Sequence, residues 1–347
     1  MSTHHRSIVE PDAGSHAAPS PPPRQAPTIF VPLDGSVHAQ AALSVARALA
    51  PLVDATLHLV HIGEPALPPP ELLRKLGLAM DDVRGTVVEQ AGGEAAASIV
   101  RLARGPVCAY IVMCPHTGQQ QSAGDPGGVA RDVLHMASCP VVLVPPVQDR
   151  RPWRLRYILL PHDGTPTTTA AMGPALELAR RADAELLVLH VAAAGASPGE
   201  PGAITAPLYQ DQAHHEWPTW AHEFLQRTCW VNPPGEMRRL RLALATGDPA
   251  AEIIHAARDN QADLIVLGWR GAMDGDHALV AKDVIRAMPC PLLILRASQT
   301  PQHDQDPFSS MARRSSTTIS APFSCSAASS PCRATPITKP NRPFRPA

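Results

Sequence analysis

The chain has 347 residues, which leaves room for two domains of ordinary size, each able to bury a core. Its 30 Lys and Arg against 31 Asp and Glu give a net charge of −1, which excludes the basic field that draws phosphate backbones or anionic lipid, so neither nucleic acid nor membrane is an expected partner. No apolar run approaches the roughly 18 residues of a membrane span, the first residues lack the apolar stretch of a signal peptide, and seven Cys without a CxxC pair suit a reducing compartment; a soluble cytoplasmic protein is expected.

Residues 1–26 are rich in Pro, Ser, His and Ala without periodicity and are expected to be a disordered tail. The first apolar run, Thr28-Ile-Phe-Val-Pro-Leu-Asp-Gly-Ser36, is a strand closed by an Asp-Gly turn. A segment with helical spacing of Ala and Leu leads to a second strand, Thr56-Leu-His-Leu-Val-His61. Gly93-Glu94 opens a helix that runs to Ala103 with apolar residues at i, i+3, i+4; Ala109 to Cys114 forms a fourth strand, and residues 133–144 a last helix and strand around Cys139-Pro140.

The pattern then starts again. Tyr157-Ile-Leu-Leu-Pro-His-Asp-Gly-Thr165 repeats the first strand, placing Asp163 129 positions after Asp34, and Glu185-Leu-Leu-Val-Leu-His190 repeats the second at the same offset. Gly247-Asp-Pro249 matches the helix start, Ala262-Asp-Leu-Ile-Val-Leu-Gly268 the fourth strand with Ala109 set against Ala262, and residues 284–295 the close, around Cys290-Pro291. Each copy reads β-α-β-α-β-α-β-α-β, giving domains at 27–148 and 153–297. Residues 298–347 follow as a Ser/Pro-rich tail with six basic and no acidic residues after Met311, expected to be disordered.

Strands that are apolar throughout and alternate with amphipathic helices belong to a parallel sheet covered on both faces. The expected fold is α/β, two doubly wound parallel five-stranded sheets in tandem. In such sheets ligands lie beyond the carboxyl ends of the strands, where strand order reverses, which selects Asp34, Asp163 and the loop after strand four.

The two Asp-Gly-Ser/Thr turns, the Gly247-Asp-Pro249 helix start, Ala262–Gly268 and the two closing Cys-Pro pairs, in this order and twice over, resemble the universal stress protein family in its tandem-domain form, across residues 28–146 and 154–297. The resemblance implies a Rossmann-like or flavodoxin-like fold of the adenine nucleotide alpha-hydrolase type, pairing of the two copies within the chain or of two chains as a homodimer, and a regulatory, non-enzymatic role in the stress response through protein partners. It also implies binding of ATP or AMP without a metal. The residues it points to are Pro32, Leu33, Asp34, Ile62, Gly118, Gly127, Gly128 and Val129 in the first copy, and Pro161, His162, Asp163, Val191, Gly268 and Gly271 in the second.

In ATP-binding members a loop of pattern G-x2-G-x9-G-(S/T) wraps the phosphates, since glycines let backbone N–H groups approach phosphate oxygens beside a helix N-terminus. Both copies depart from it. The first has Cys114 and Thr117 at the leading Gly positions and Gly128 at the hydroxyl position; the second keeps Gly268 and Gly271 but has a shorter loop, with Ala278 and Leu279 at the close. One eroded nucleotide site is therefore expected. Two other readings stand beside it: a nucleotide-free scaffold in which the Asp residues only cap their own turns, and a metal or thiol sensor centred on Cys114 and His116, with Asp34 and His61 nearby. His214, His215, Glu216 and His222 lack the H-E-x-x-H spacing, and no Ser-His-Asp order or nucleophile elbow supplies a catalytic residue. Cys139 and Cys290, with no cysteine close by in sequence, are expected to be small core residues.

Overall fold

The structure is a computed structural model that describes residues 26–105, 107–115, 127–146, 152–192, 239–269 and 279–296. Both expected tails lie outside this set, apart from Ala26. The first half runs β1 (Thr28–Pro32), α1 (Ala39–Leu49), β2 (Thr56–Ile62), α2 (Pro69–Lys75), β3 (Val87–Ala91), α3 (Ala95–Ala103), β4 (Cys108–Met113), α4 (Gly128–Met136) and β5 (Val141–Leu143). The second runs β6 (Tyr157–Pro161), α5 (Pro166–Ala182), β7 (Glu185–Ala192), β8 (Leu240–Thr246), α6 (Pro249–Asp259), β9 (Leu264–Trp269), α7 (Leu279–Ala287) and β10 (Leu292–Arg296).

Local chemistry explains the helix starts. Glu94 caps α3 by accepting from the N–H groups of Ala96 at 2.9 Å and Ala97 at 2.6 Å, and Asp248 caps α6 by accepting from Ala251 at 2.8 Å. Each is an acidic side chain at the positive end of a helix dipole. The glycine before each cap, Gly93 and Gly247, has φ of 99° and 142°, a conformation that a residue with a Cβ rarely adopts.

The strands form one ten-stranded sheet in the order β3-β2-β1-β4-β5-β10-β9-β6-β7-β8. Within each half all neighbours are parallel and the order is the same, with the chain crossing from β3 back past β1 to β4 and from β8 back past β6 to β9. The two five-stranded sheets expected from the repeat are therefore joined edge to edge. The seam is antiparallel, with Leu143, Val142 and Val141 opposite Leu292, Leu293 and Ile294. Pairing these two edges removes a row of unpaired backbone groups from solvent. Because the seam is antiparallel, the carboxyl ends of the two sets of strands point to opposite edges of the sheet.

Helices cover both faces, as strands that are apolar on both sides require. α1, α2 and α5 pack on one face over Ile29, Val31, Ile158 and Leu160, and α3, α4, α6 and α7 on the other over Phe30, Ile111, Leu159 and Ile265. Both cores run through the seam: Val142 and Leu293 belong to the first, Val141 and Leu292 to the second. The connection between halves is fixed too. Trp153 donates from its backbone N–H to Ser44 Oγ at 3.4 Å and from its indole to the Asp263 carbonyl at 3.3 Å, while Asp263 Oδ2 accepts from the N–H groups of Arg156 at 2.8 Å and Tyr157 at 3.0 Å. No helix among the described residues is long and apolar enough to cross a membrane.

Candidate functional site

In each half the switch point lies between the first and fourth strands, and the Asp-Gly turn leaves the sheet there. The turns share a frame. Leu33 N–H donates to the Val60 carbonyl and His162 N–H to the Leu189 carbonyl, both at 2.8 Å, which extends each first strand by one ladder bond. His61 Nδ1 then donates to the Leu33 carbonyl and His190 Nδ1 to the His162 carbonyl, again both at 2.8 Å. The histidines that end the second strands thus hold the peptide that precedes each Asp. This accounts for their recurrence better than metal ligation does, since a carbonyl can only accept and so fixes the proton on Nδ1. The Nε2 of His61 is buried without a partner, against Gly63, where a Cβ would lie 2.9 Å from it.

Beyond this frame the halves differ. In the first, Asp34 is exposed and its Oδ1 accepts from Ser36 N–H at 2.9 Å, an Asx turn, while Ser36 Oγ accepts from Ala39 N–H at 3.1 Å and leads into α1. Gly35, at φ 89°, has no room for a side chain: a Cβ would lie 2.5 Å from the Lys75 carbonyl at the end of α2.

In the second half the turn is locked by hydroxyls. Asp163 Oδ1 accepts from Thr165 N–H at 2.9 Å and from Thr165 Oγ1 and Thr168 Oγ1, both at 2.7 Å. Desolvation pushes this carboxyl up, but the bonds from Thr165 and Thr168 and the neighbouring His162 outweigh it and hold the acid below its ordinary value. His162 is buried, and burial pushes its imidazole down to about 4, with His190 adding to the effect and Asp163 opposing it. The neutral ring accepts from Gly164 N–H at Nδ1, 2.9 Å away, and its Nε2 lies 3.3 Å from Thr169 Oγ1. Thr165, Thr168 and Thr169 were not singled out in the sequence; the run of hydroxyls directly after an Asp-Gly turn is the signal that marks them.

The other expected residues distribute as follows. Pro32 and Pro161 end their strands, paired with Val60 and Leu189. Ile62 and Val191, at the ends of β2 and β7, pack on the face that carries α3, α4, α6 and α7. Gly127 precedes α4 at φ 76° with no side-chain cap on the helix, a Cβ on Gly128 would meet nothing within 4 Å, and Val129 is 38% exposed. Among the described residues no side chain caps the first N–H groups of α4. Gly268 is the reverse case: a Cβ there would lie 2.6 Å from the Thr167 carbonyl, so the first turn of α5 closes directly over the end of β9. Gly118, Gly271 and His116 lie outside the described residues, as do His214, His215, Glu216 and His222.

Cys114 is buried, 4% exposed, at the end of β4, and among the described residues no group of three or more ligand-type side chains could hold a metal. Cys290 is a buried core residue as expected. Cys139 packs at the edge of the same core, half-buried, and its Sγ lies 2.8 Å from that of Cys108. Gln90, at the end of β3, was also unforeseen. Its amide donates to the carbonyls of Gly63 at 2.7 Å and Pro65 at 2.9 Å and accepts from Leu67 N–H at 2.8 Å, shaping the loop beside the first crevice. A cavity of about 560 Å³ opens elsewhere, between α1 and the linker, with Gln40, Arg47, Asp82 and Trp153 on its walls. It contains none of the residues of either crevice.

Fold and crevice together define a class of protein: a doubly wound parallel α/β sheet with an Asp-Gly turn at the point where strand order reverses, the place where sheets of this kind take ligands. Residues 155–296 match the model of the universal stress protein family. The universal stress protein MJ0531 of Methanocaldococcus jannaschii is 27% identical over 144 residues, 41% of this chain and 82% of that protein. A universal stress protein structure from Archaeoglobus fulgidus superposes with a TM-score of 0.56 at 15% identity, covering 78% of this chain and 98% of that one. A functionally unknown protein from Pseudomonas aeruginosa PAO1 does so at 0.57 and 17%, covering 78% and 92%. These two likenesses are of fold, and they extend through both halves. The family match thus lies in the second half of the chain, and what the first half shares with these structures is the fold.

Proposed function

We propose that this protein is a regulatory protein of the stress response, built of two universal-stress-like domains at 27–148 and 153–297, that binds one adenine nucleotide, ATP or AMP, at the first of its two crevices. The observation that carries this reading is the asymmetry of the turns. Asp34 is exposed with a single hydrogen bond given to one oxygen, and among the described residues no side chain caps the Gly127-Gly128 start of α4, which supports a carboxylate for ribose or adenine and N–H groups for phosphate. Ile62 supplies the apolar wall and Pro32 and Leu33 the backbone edge. In the second crevice Asp163, exposed like Asp34, has Oδ1 taken up by Thr165 and Thr168, and Gly268 is backed by α5, which supports a structural role for Pro161, His162, Asp163, Val191 and Gly268. Output then passes through nucleotide-dependent contacts with protein partners, without turnover.

Calorimetric titration of the full chain with ATP and AMP tests this. One nucleotide per chain is expected, with Asp34→Ala weakening it roughly 10- to 150-fold, the equivalent of one hydrogen bond to a charged group of about 1.5–3 kcal/mol. Asp163→Ala is expected to leave the affinity unchanged. Unaltered binding in Asp34→Ala, or no binding by the wild-type chain, overturns the assignment.

A further inference from the structure

We propose that Cys108 and Cys139 form a peroxide-reactive dithiol, a modification site that closes to an intramolecular disulfide. The two Sγ atoms lie 2.8 Å apart, less than about 1 Å short of the roughly 2.05 Å bond, and both residues are partly exposed. Cys114 and Cys290 are buried at 4% and 7% exposure. The backbone enforces the juxtaposition. Cys108 opens β4 beside Thr28 of β1, and Cys139 precedes Pro140, whose carbonyl accepts from Ile111 N–H at 3.0 Å.

The fold does not require this pair. In the second half the Pro291 carbonyl accepts from Ile265 N–H at 2.9 Å, so Pro140 and Pro291 are equivalent, and Cys108, three residues before Ile111, stands where Ala262 stands three residues before Ile265. Cys290 therefore faces an alanine, and burial pushes its thiol up to about 12. In the first half the thiol of Cys108 donates to Cys139, which lowers the proton affinity of Cys139 and raises that of Cys108. Cys139 is the nucleophile and Cys108 the resolving thiol.

The reaction balances with hydrogen peroxide as oxidant. The Cys139 thiolate attacks one peroxide oxygen, the O–O bond breaks, and the departing hydroxide leaves as water with the Cys108 proton. The Cys108 thiolate then attacks the sulfenic sulfur, the S–O bond breaks, and the second hydroxide takes up a proton as water. Two thiols and one peroxide give one disulfide and two waters; the sulfurs lose two electrons and the peroxide gains them. The bond spans the segment from β4 through α4. Its lower end lies against the second half, where Arg296 donates to the carbonyls of His135 at 3.2 Å and Ala137 at 3.4 Å and the rings of His135 and Trp269 meet at 6.3 Å.

The test uses the full chain, reduced, treated with one equivalent of hydrogen peroxide, blocked with an alkylating agent, and mapped by mass spectrometry without reduction. A Cys108–Cys139 linked peptide, lighter by two hydrogens than its parts, is expected. Cys108→Ser is expected to stop at a sulfenic acid on Cys139, trapped by dimedone, and Cys139→Ser to leave Cys108 reacting more slowly than Cys139 does in Cys108→Ser. The wild-type map stands whether or not the variants fold. Peroxide consumed at Cys229, Cys325 or Cys332 with no Cys108–Cys139 link overturns the proposal, and equal trapping at both cysteines overturns the assignment of nucleophile.

Discussion

Acidification from pH 7 to pH 5 tests the locked turn of the second half. His162 has a folded value near 4 against an ordinary value of 6.5, because its burial disfavours the charged ring. The folded state therefore binds fewer protons than the unfolded state throughout that window, and stability falls as pH drops from about 6.5 and levels off below about 4. At pH 5 the unfolded histidine is almost fully protonated and the folded one mostly neutral, which corresponds to about 2 kcal/mol lost relative to neutral pH. Asp163, held below its usual value, acts in a lower window: its stabilisation is present above the ordinary carboxylate value and is lost as pH falls further, through the folded value. His190 is also lowered by burial and adds to the wild-type slope, so the difference between wild type and His162→Gln isolates the single ring. Gln keeps an acceptor for Gly164 N–H. Urea unfolding of both chains at pH 7 and 5 is expected to show the wild type losing about 2 kcal/mol more than the variant, and imidazole NMR assigned by that variant to show one ring titrating near pH 4. A His162 signal titrating near its ordinary value, or parallel acid limbs in the two chains, refutes the reasoning.

Other outcomes follow from single contacts. Asp263→Ala leaves the N–H groups of Arg156 and Tyr157 without their shared acceptor and is expected to cost about 2–3 kcal/mol in denaturant melts, whereas Asp263→Asn, which keeps an acceptor oxygen, costs less. The Arg156 ion pair adds little to this, since that guanidinium is 81% exposed. Gly268→Ala drives a methyl toward the Thr167 carbonyl and is expected to destabilise by about 1–3 kcal/mol, read as a lower thermal midpoint. Gly128→Ala meets open space, so the melt stays within about 1 kcal/mol of wild type while ATP binding by calorimetry weakens, because the added methyl stands where phosphate approaches the backbone.

Much of the architecture was legible because buried parallel strands must be apolar on both faces, and such runs between amphipathic helices have few other readings. The acidic caps Glu94 and Asp248 were legible for a similar reason, since a Gly-acid step before an apolar helix has a specific geometric use. The seam was not. Val141-Val-Leu143 and Leu292-Leu-Ile-Leu-Arg296 read as buried strands whichever neighbour they take, and nothing in them specifies an antiparallel partner. The thiol pair was hidden by one residue of register. An irregularity between Thr28 and Ile29 shifts β4 against β1, so that Cys108, and not Ala109, is the counterpart of Ala262. The hydroxyl network of the second turn was illegible for another reason: Asp-Gly-Ser and Asp-Gly-Thr look alike, and only the position of Thr168 one helical step further on adds a further hydroxyl to the same carboxylate oxygen.

The antiparallel seam also explains how two halves with one ancestry of pattern can differ so much at their crevices. Strands β4 and β5 run opposite to β10 and β9, so the carboxyl ends of β1 and β4 open at one edge of the sheet and those of β6 and β9 at the other. Among the described residues none lines both crevices. The features particular to the second crevice, threonines on Asp163 and α5 against Gly268, therefore leave the geometry around Asp34 untouched. What the halves do share is the pair of cores that runs through Val142 and Leu293 on one face and Val141 and Leu292 on the other. Stability is a property of the whole sheet, while each crevice is confined to one end of one half, and each is free to change without the other.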